Sequence, residues 1–128
     1  MNAFDRVTPL HFPPEMSRLF EELTGPRADQ WGLRAAITIF RFRKRNGRSP
    51  TFLELFDDLL TAPRLRILEM QIDWSSLPRD TVRGFRHHSA IHWRRRGWID
   101  WENTPRSLRP GWAFANASRR WRSSRQSA

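Results

Sequence analysis

Apolar residues return every three or four positions through several stretches of this chain, and each stretch is closed by a breaker. In "PPEMSRLFEELTG", Met16, Leu19, Phe20 and Leu23 lie at helical spacing behind an opening proline, and Gly25 then Pro26 end the run. "ADQWGLRAAITIFRFRKRNG" sets Leu33, Ala36, Ile37 and Phe40 on one stripe with Trp31 and Ala35 beside it. Its last-turn cations Arg43, Lys44 and Arg45 suit the negative end of a helix, and Asn46-Gly47 stops it. "GRSPTFLELFDDLLTAP" carries the sharpest local signal. Pro50 pushes Ser49 to an extended backbone, and Thr51 followed by Glu54 makes a capping box whose hydroxyl and carboxylate satisfy two backbone amides. Leu53, Phe56, Leu59 and Leu60 form the predicted buried stripe, which stops near Thr61, before Pro63.

"RLRILEMQIDW" fits a helix through Leu65, Leu68 and Ile72, and its partial alternation also fits a strand. "SSLPRDTVRGFRHHSAIHWRRRG" predicts another helix, with Ser75 or Ser76 as N-cap and Pro78 in its first turn. On a helical wheel Val82, Phe85, Ser89 and Trp93 share one face; Arg83, His87 and Arg94 point the other way, with Arg79, Arg86 and Ala90 on the shoulder. Ile91 falls on the exposed side, and Gly84 weakens the helix by up to about 1 kcal/mol relative to Ala. After Gly97, "WIDW" and "RSLRPGWAF" read as two strands around the turn "ENTP".

The first twelve residues mix Phe4, Val7, Leu10 and Phe12 with prolines and read as an arm packed on the domain. Beyond Phe114, "ANASRRWRSSRQSA" reads as a mobile basic tail. The expected organisation is an arm and helix over residues 1–27, a main domain over 28–114 and the tail over 115–128, in a fold that is mainly α with a small β-hairpin.

Composition narrows the function. A chain of 128 residues is one domain's length, and its seven Trp and nine Phe supply a core. The absence of cysteine excludes disulfides, thiolate metal sites and Cys nucleophiles. No apolar run approaches a membrane span and "MNAFDRVTPLHFPPEM" lacks a signal peptide's layout, so the expected compartment is the cytoplasm, in association with the nucleoid.

The charge is unevenly placed. Residues 1–74 hold eleven basic and ten acidic side chains (+1), whereas residues 75–128 hold twelve and three (+9). Such asymmetry points to a polyanionic partner of the C-terminal part. Only Lys44 among the 23 basic residues is not Arg. A GC-rich genome would also raise Arg over Lys, but it would not place the residues unevenly.

No Gly-rich phosphate loop, nucleophile elbow or zinc-hydrolase motif is present, and no enzyme activity or cofactor is expected. Asp57 and Asp58, adjacent on a helix, point apart and read as solvated surface. His88 and His92 are one turn apart but lack a third ligand, so no metal is expected. Trp93, Trp98, Trp101 and Trp112 read as core and hairpin packing, with base-stacking platforms as the alternative.

The order of a helix, a capped helix after "GRSPT", a basic helix ending "RRRG" and an arginine-bearing hairpin resembles the winged helix-turn-helix family of DNA-binding domains, of the kind found in the bacterial SOS repressor. The resemblance spans roughly residues 31–114 and rests on "NGRSPTFLELFDDLL", "VRGFRHHSAIHWRRRGWI" and "DWENTPRSLRPG". Such domains join their second and third helices by a few residues; here about fifteen intervene between Leu60 and Leu77.

The resemblance implies a transcriptional regulator that binds double-stranded DNA. Arg79, Arg83, Arg86 and His87 would face base edges; Arg94 and Arg95, with Arg96, would meet phosphate or brace the hairpin. Arg106 would enter the minor groove, Arg109 would lie on the backbone, and Arg48, Ser49 and Thr51 would hold a phosphate at a helix N-terminus. A homodimer joined through "PPEMSRLFEELTG" and the arm would read two half-sites. The rival readings are a small phage or mobile-element protein that binds a host protein or nucleoprotein complex, of the anti-defence type, an RNA or single-strand binder using the Trp residues and the Arg tail, and a plasmid replication initiator, whose winged helix usually comes in longer chains.

Overall fold

Helical spacing of apolar residues becomes three packed helices at the centre of the molecule. The computed structural model describes the backbone of residues 7–126 and the side chains of residues 7–123. Helix α1 (Pro14–Thr24) buries Met16, Leu19 and Leu23, and α2 (Ala28–Asn46) meets it with Trp31, Ala35, Ala36 and Ile39. Gly47 closes α2 at φ 68°, its amide donating to the Arg43 carbonyl. Helix α5, which spans Arg79–Arg95, crosses both and buries Phe85, Ser89, Ala90 and Trp93; the Trp93 indole donates to the Leu23 carbonyl at 2.9 Å.

The capping box forms at the start of α3 (Phe52–Leu59): the Glu54 amide donates to Thr51 Oγ1 at 3.1 Å and the Thr51 amide to Glu54 Oε1 at 3.0 Å. The buried stripe of α3 is rotated from the expected one. Leu55, Phe56, Leu59 and Leu60 enter the core, whereas Leu53 is 52% exposed. Phe40, expected on the stripe of α2, is 45% exposed, because the last two turns of that helix run past the core.

Thr61 starts a second short helix, α4 (Ala62–Ile67), with Pro63 in its first turn, and no strand forms in "RLRILEMQIDW". Leu65 and Met70 anchor this insertion while Leu68, Ile72 and Trp74 cover the core edge. Ser75 and Ser76 do not cap α5. They belong to a 3₁₀ turn over Trp74–Ser76 capped by Asp73, and Pro78 precedes the first residue of α5.

The hairpin is shorter than expected: β1 (Ile99–Asp100) pairs antiparallel with β2 (Arg109–Pro110), Ile99 opposite Pro110 and Asp100 opposite Arg109. The second run does not continue as a strand, because Gly111 turns the chain. Its amide donates to the Trp98 carbonyl, and a Cβ there would collide with the Gly97 carbonyl. Helix α6 (Trp112–Gln126) follows, so the stretch expected to be a mobile tail is helical through residue 126. A helix suits its composition, which contains no Gly, Pro or β-branched residue.

Val7, Phe12 and α1 share one core with α2 and α5, so the apolar face of "PPEMSRLFEELTG" is used within the chain. Phe12 packs edge-on against Phe20 and Phe85, and Val7 lies over Gly84 and accepts a hydrogen bond from His88 through its carbonyl. Phe4 lies outside the described residues, and Leu10 is solvent-exposed. Among the described residues no helix is long and apolar enough to cross a membrane.

Candidate nucleic-acid interface

At 3.6 residues per turn, Arg79, Arg83, Arg86, His87 and Arg94 fall within an arc of about 100° along α5, a stripe roughly 22 Å long. Arg79 and Arg83 are exposed and make no ion pair among the described residues. Arg86 is half-buried; burial lowers its pKa, Asp57 opposes that shift and Arg83 adds to it. His87 belongs to an aromatic cluster that binds three elements together. Its ring lies 6.4 Å from Phe52 at the start of α3 and 6.3 Å from Trp101 at the base of the hairpin, and Phe52 meets Trp101 edge-on at 5.2 Å. The outer stripe of α5, the start of α3 and the hairpin base are therefore continuous.

Arg94 and Arg109 do not reach outward from this surface. Both grip Asp100, at 2.9 and 3.1 Å, and Arg109 also reaches Glu102. Arg94 stacks 4.3 Å over the Trp101 ring and donates to the Trp101 carbonyl. They brace the hairpin. Burial would raise the Asp100 pKa, but the Trp101 amide, Arg109 and Arg94 outweigh it and leave the carboxyl below its usual range.

The start of α3 is likewise occupied by its own chain. Arg48 forms two parallel 3.0 Å hydrogen bonds with Glu54, the carboxylate that completes the capping box, and Ser49 is buried. Arg48 and the Thr51 amide together hold the Glu54 pKa at about 2. The place assigned to a phosphate beside Arg48, Ser49 and Thr51 thus holds an intramolecular carboxylate.

Compared with known proteins, the chain matches no family model, no curated protein and no solved structure.

Sequence reasoning assigned Arg48 and Arg106 to the interface but missed Arg43 and Lys44. Arg43 and Lys44 from the end of α2 and Arg106 from the hairpin tip line one shallow basin with Arg48, and neither Arg43, Lys44 nor Arg106 has a carboxylate partner among the described residues. Arg43 and Lys44 read locally as helix-end cations; only the fold brings them to a loop about sixty residues away. Arg106 stands at φ 57°, a left-handed conformation that is uncommon outside Gly and Asn.

Arg95 is not part of this surface. One position beyond Arg94, it is turned by about 100° and lines a separate basin with Asp29, Trp98 and Trp112. Arg96, at the same end, is held by Asp29 at 2.6 and 2.8 Å. His88 and His92 are engaged with the Val7 carbonyl and the Phe20 ring, and Asp57 and Asp58 are exposed. Among the described residues no group of three His, Asp or Glu side chains could hold a metal ion.

The α3–α5 junction also contains a groove of about 620 Å³, with Leu53, Trp74, Leu77 and Val82 beside Arg79 and Arg83.

Proposed function

We propose that this protein binds double-stranded DNA as a transcriptional regulator of the winged helix-turn-helix type, with α5 in the major groove and the hairpin as the wing. The observation that carries the reading is the unpaired cation set: Arg79 and Arg83 at the leading end of α5, and Arg106 with Arg43 and Lys44 at the wing. Arginines on a helix of this length suit guanine edges, and those at the wing suit phosphate or the narrow groove. Phe52, His87 and Trp101 support both parts as one body. Nothing in the reading requires a cofactor, and nucleoid association follows from it.

Duplex binding followed by fluorescence anisotropy tests it. Arg43, Lys44 and Arg106 at phosphates predict a slope of log K against log salt of about −2.7. The triple substitution Arg79→Ala, Arg83→Ala, Arg106→Ala is expected to flatten that slope to about −2 and to weaken binding strongly. Unchanged affinity and slope in a folded triple variant would refute the reading.

The apolar floor of the α3–α5 groove supports a second reading, a small mobile-element protein that docks on a host protein, since a phosphodiester backbone has no use for Leu53 and Trp74. Leu53→Ser, which adds no charge beside Arg79 and Arg83, separates the two: it leaves duplex binding intact and weakens protein docking.

A further inference from the structure

Two indoles and two unpaired arginines meet in a basin of about 490 Å³ formed by the last turn of α5, the start of α2 and the first turns of α6. Trp98 packs against Gly32, where a Cβ would collide with its ring, and its indole N–H donates to Asp29 Oδ1 at 2.9 Å. Trp112 lies on Gly97 in the same manner and is 67% exposed. Core packing accounts for Trp98; it does not account for an indole anchored by one edge with most of its surface in solvent.

The charges complete the pattern. Asp29, the one carboxylate lining the basin among the described residues, is paired with Arg96 and hydrogen-bonded by the Trp98 indole, which together hold its pKa at about 2. Arg95 from α5 and Arg120 from α6 line the same basin and make no ion pair among the described residues. An exposed aromatic plane flanked by two cations is complementary to an unstacked base and the phosphates on either side of it. A duplex does not offer the unstacked base, because its bases are stacked and paired.

We infer that the basin between α5 and α6 binds single-stranded nucleic acid, with a base on Trp112 and phosphates on Arg95 and Arg120. The site is independent of the duplex reading. It lies near the N-terminal end of α2, whereas the wing-tip basin lies near its C-terminal end, roughly 20 Å away along that helix.

Labelled dT12 and U12 oligonucleotides, each titrated into the full-length protein at low salt, provide the test, with quenching of Trp fluorescence as a second readout. Trp112→Leu is expected to weaken oligonucleotide binding by about 5- to 100-fold, and Trp112→Phe to retain most of it. Arg95→Glu with Arg120→Glu is expected to abolish it, while Arg79→Ala with Arg83→Ala leaves it unchanged. A stronger response to U12 than to dT12 would identify RNA as the source of the strand, and the converse would identify DNA. Circular dichroism melts establish that each variant is folded. Absence of binding by either oligonucleotide overturns the inference, as does binding that survives both Trp112→Leu and the double Glu variant. Loss of binding only in the Arg79/Arg83 variant would assign the strand to the α5 stripe and overturn it equally.

Discussion

Arg48 and Glu54 face each other through two parallel hydrogen bonds of 3.0 Å, so the chain supplies its own anion at the start of α3. Glu54→Gln keeps the capping geometry, because Gln also caps, but removes the charge that occupies Arg48. Under the duplex reading the freed Arg48 gains a phosphate. The variant should bind duplex several-fold more tightly, with a salt slope steeper by about 0.9. Anisotropy at several salt concentrations measures both quantities; unchanged affinity and slope would show that Arg48 does not approach a phosphate.

Arg106 at φ 57° costs about 1–2 kcal/mol relative to a residue that tolerates the left-handed region. Arg106→Gly relieves that strain at some cost in chain entropy, so the folded protein should gain about 0.5–1 kcal/mol while duplex affinity falls. Chemical denaturation beside a binding titration would reveal opposite signs. The same sign in both would mean that the wing tip is not held for binding.

Stability should fall in acid in two stages. The neutral form of His92 is favoured in the fold because burial, then Arg95, His88 and Arg96, lower its pKa from 6.5. Charging it below that value therefore costs stability. Glu54 and Asp29, each held at about 2 from ordinary values of 4.5 and 3.8, contribute stability that is complete above pH 5 and disappears as pH falls toward 2. Denaturation midpoints from pH 7 to pH 2 trace both stages. His92→Gln should remove the first stage, and Asp29→Asn should shrink the second.

Ser89 is fully buried on α5, and its hydroxyl has no hydrogen-bond partner among the described residues. Ser89→Ala removes an unsatisfied polar atom without opening a large cavity and should stabilise the fold by about 1 kcal/mol. A thermal melt that moves down instead of up would mean that the hydroxyl has a partner in solution.

Much of this architecture is legible within a few residues of chain. The Thr51–Glu54 capping box, the Gly47 stop and the Met16-Leu19-Leu23 stripe act over one or two helical turns, and all three form as expected. The pairing of cations with carboxylates is different. Arg96 meets Asp29 across 67 positions, and Trp93 meets the Leu23 carbonyl across 70. Whether an arginine is available to a ligand therefore depends on where a distant element lands.

The sequence by itself determined α1, α2, α3 and α5, the turn into a hairpin and the excess of charge in residues 75–128, because backbone propensity, capping and composition are local or summed quantities. Tertiary structure decided that Arg48, Arg94, Arg96 and Arg109 are spent on carboxylates while Arg43, Lys44, Arg79, Arg83 and Arg106 meet none among the described residues. It also buried Trp93 and exposed Trp112, because one lies over the α1–α2 core and the other follows a Gly111 turn that leads the chain out of it. Exposure and pairing are properties of packing between distant elements, and no window of neighbouring residues encodes them.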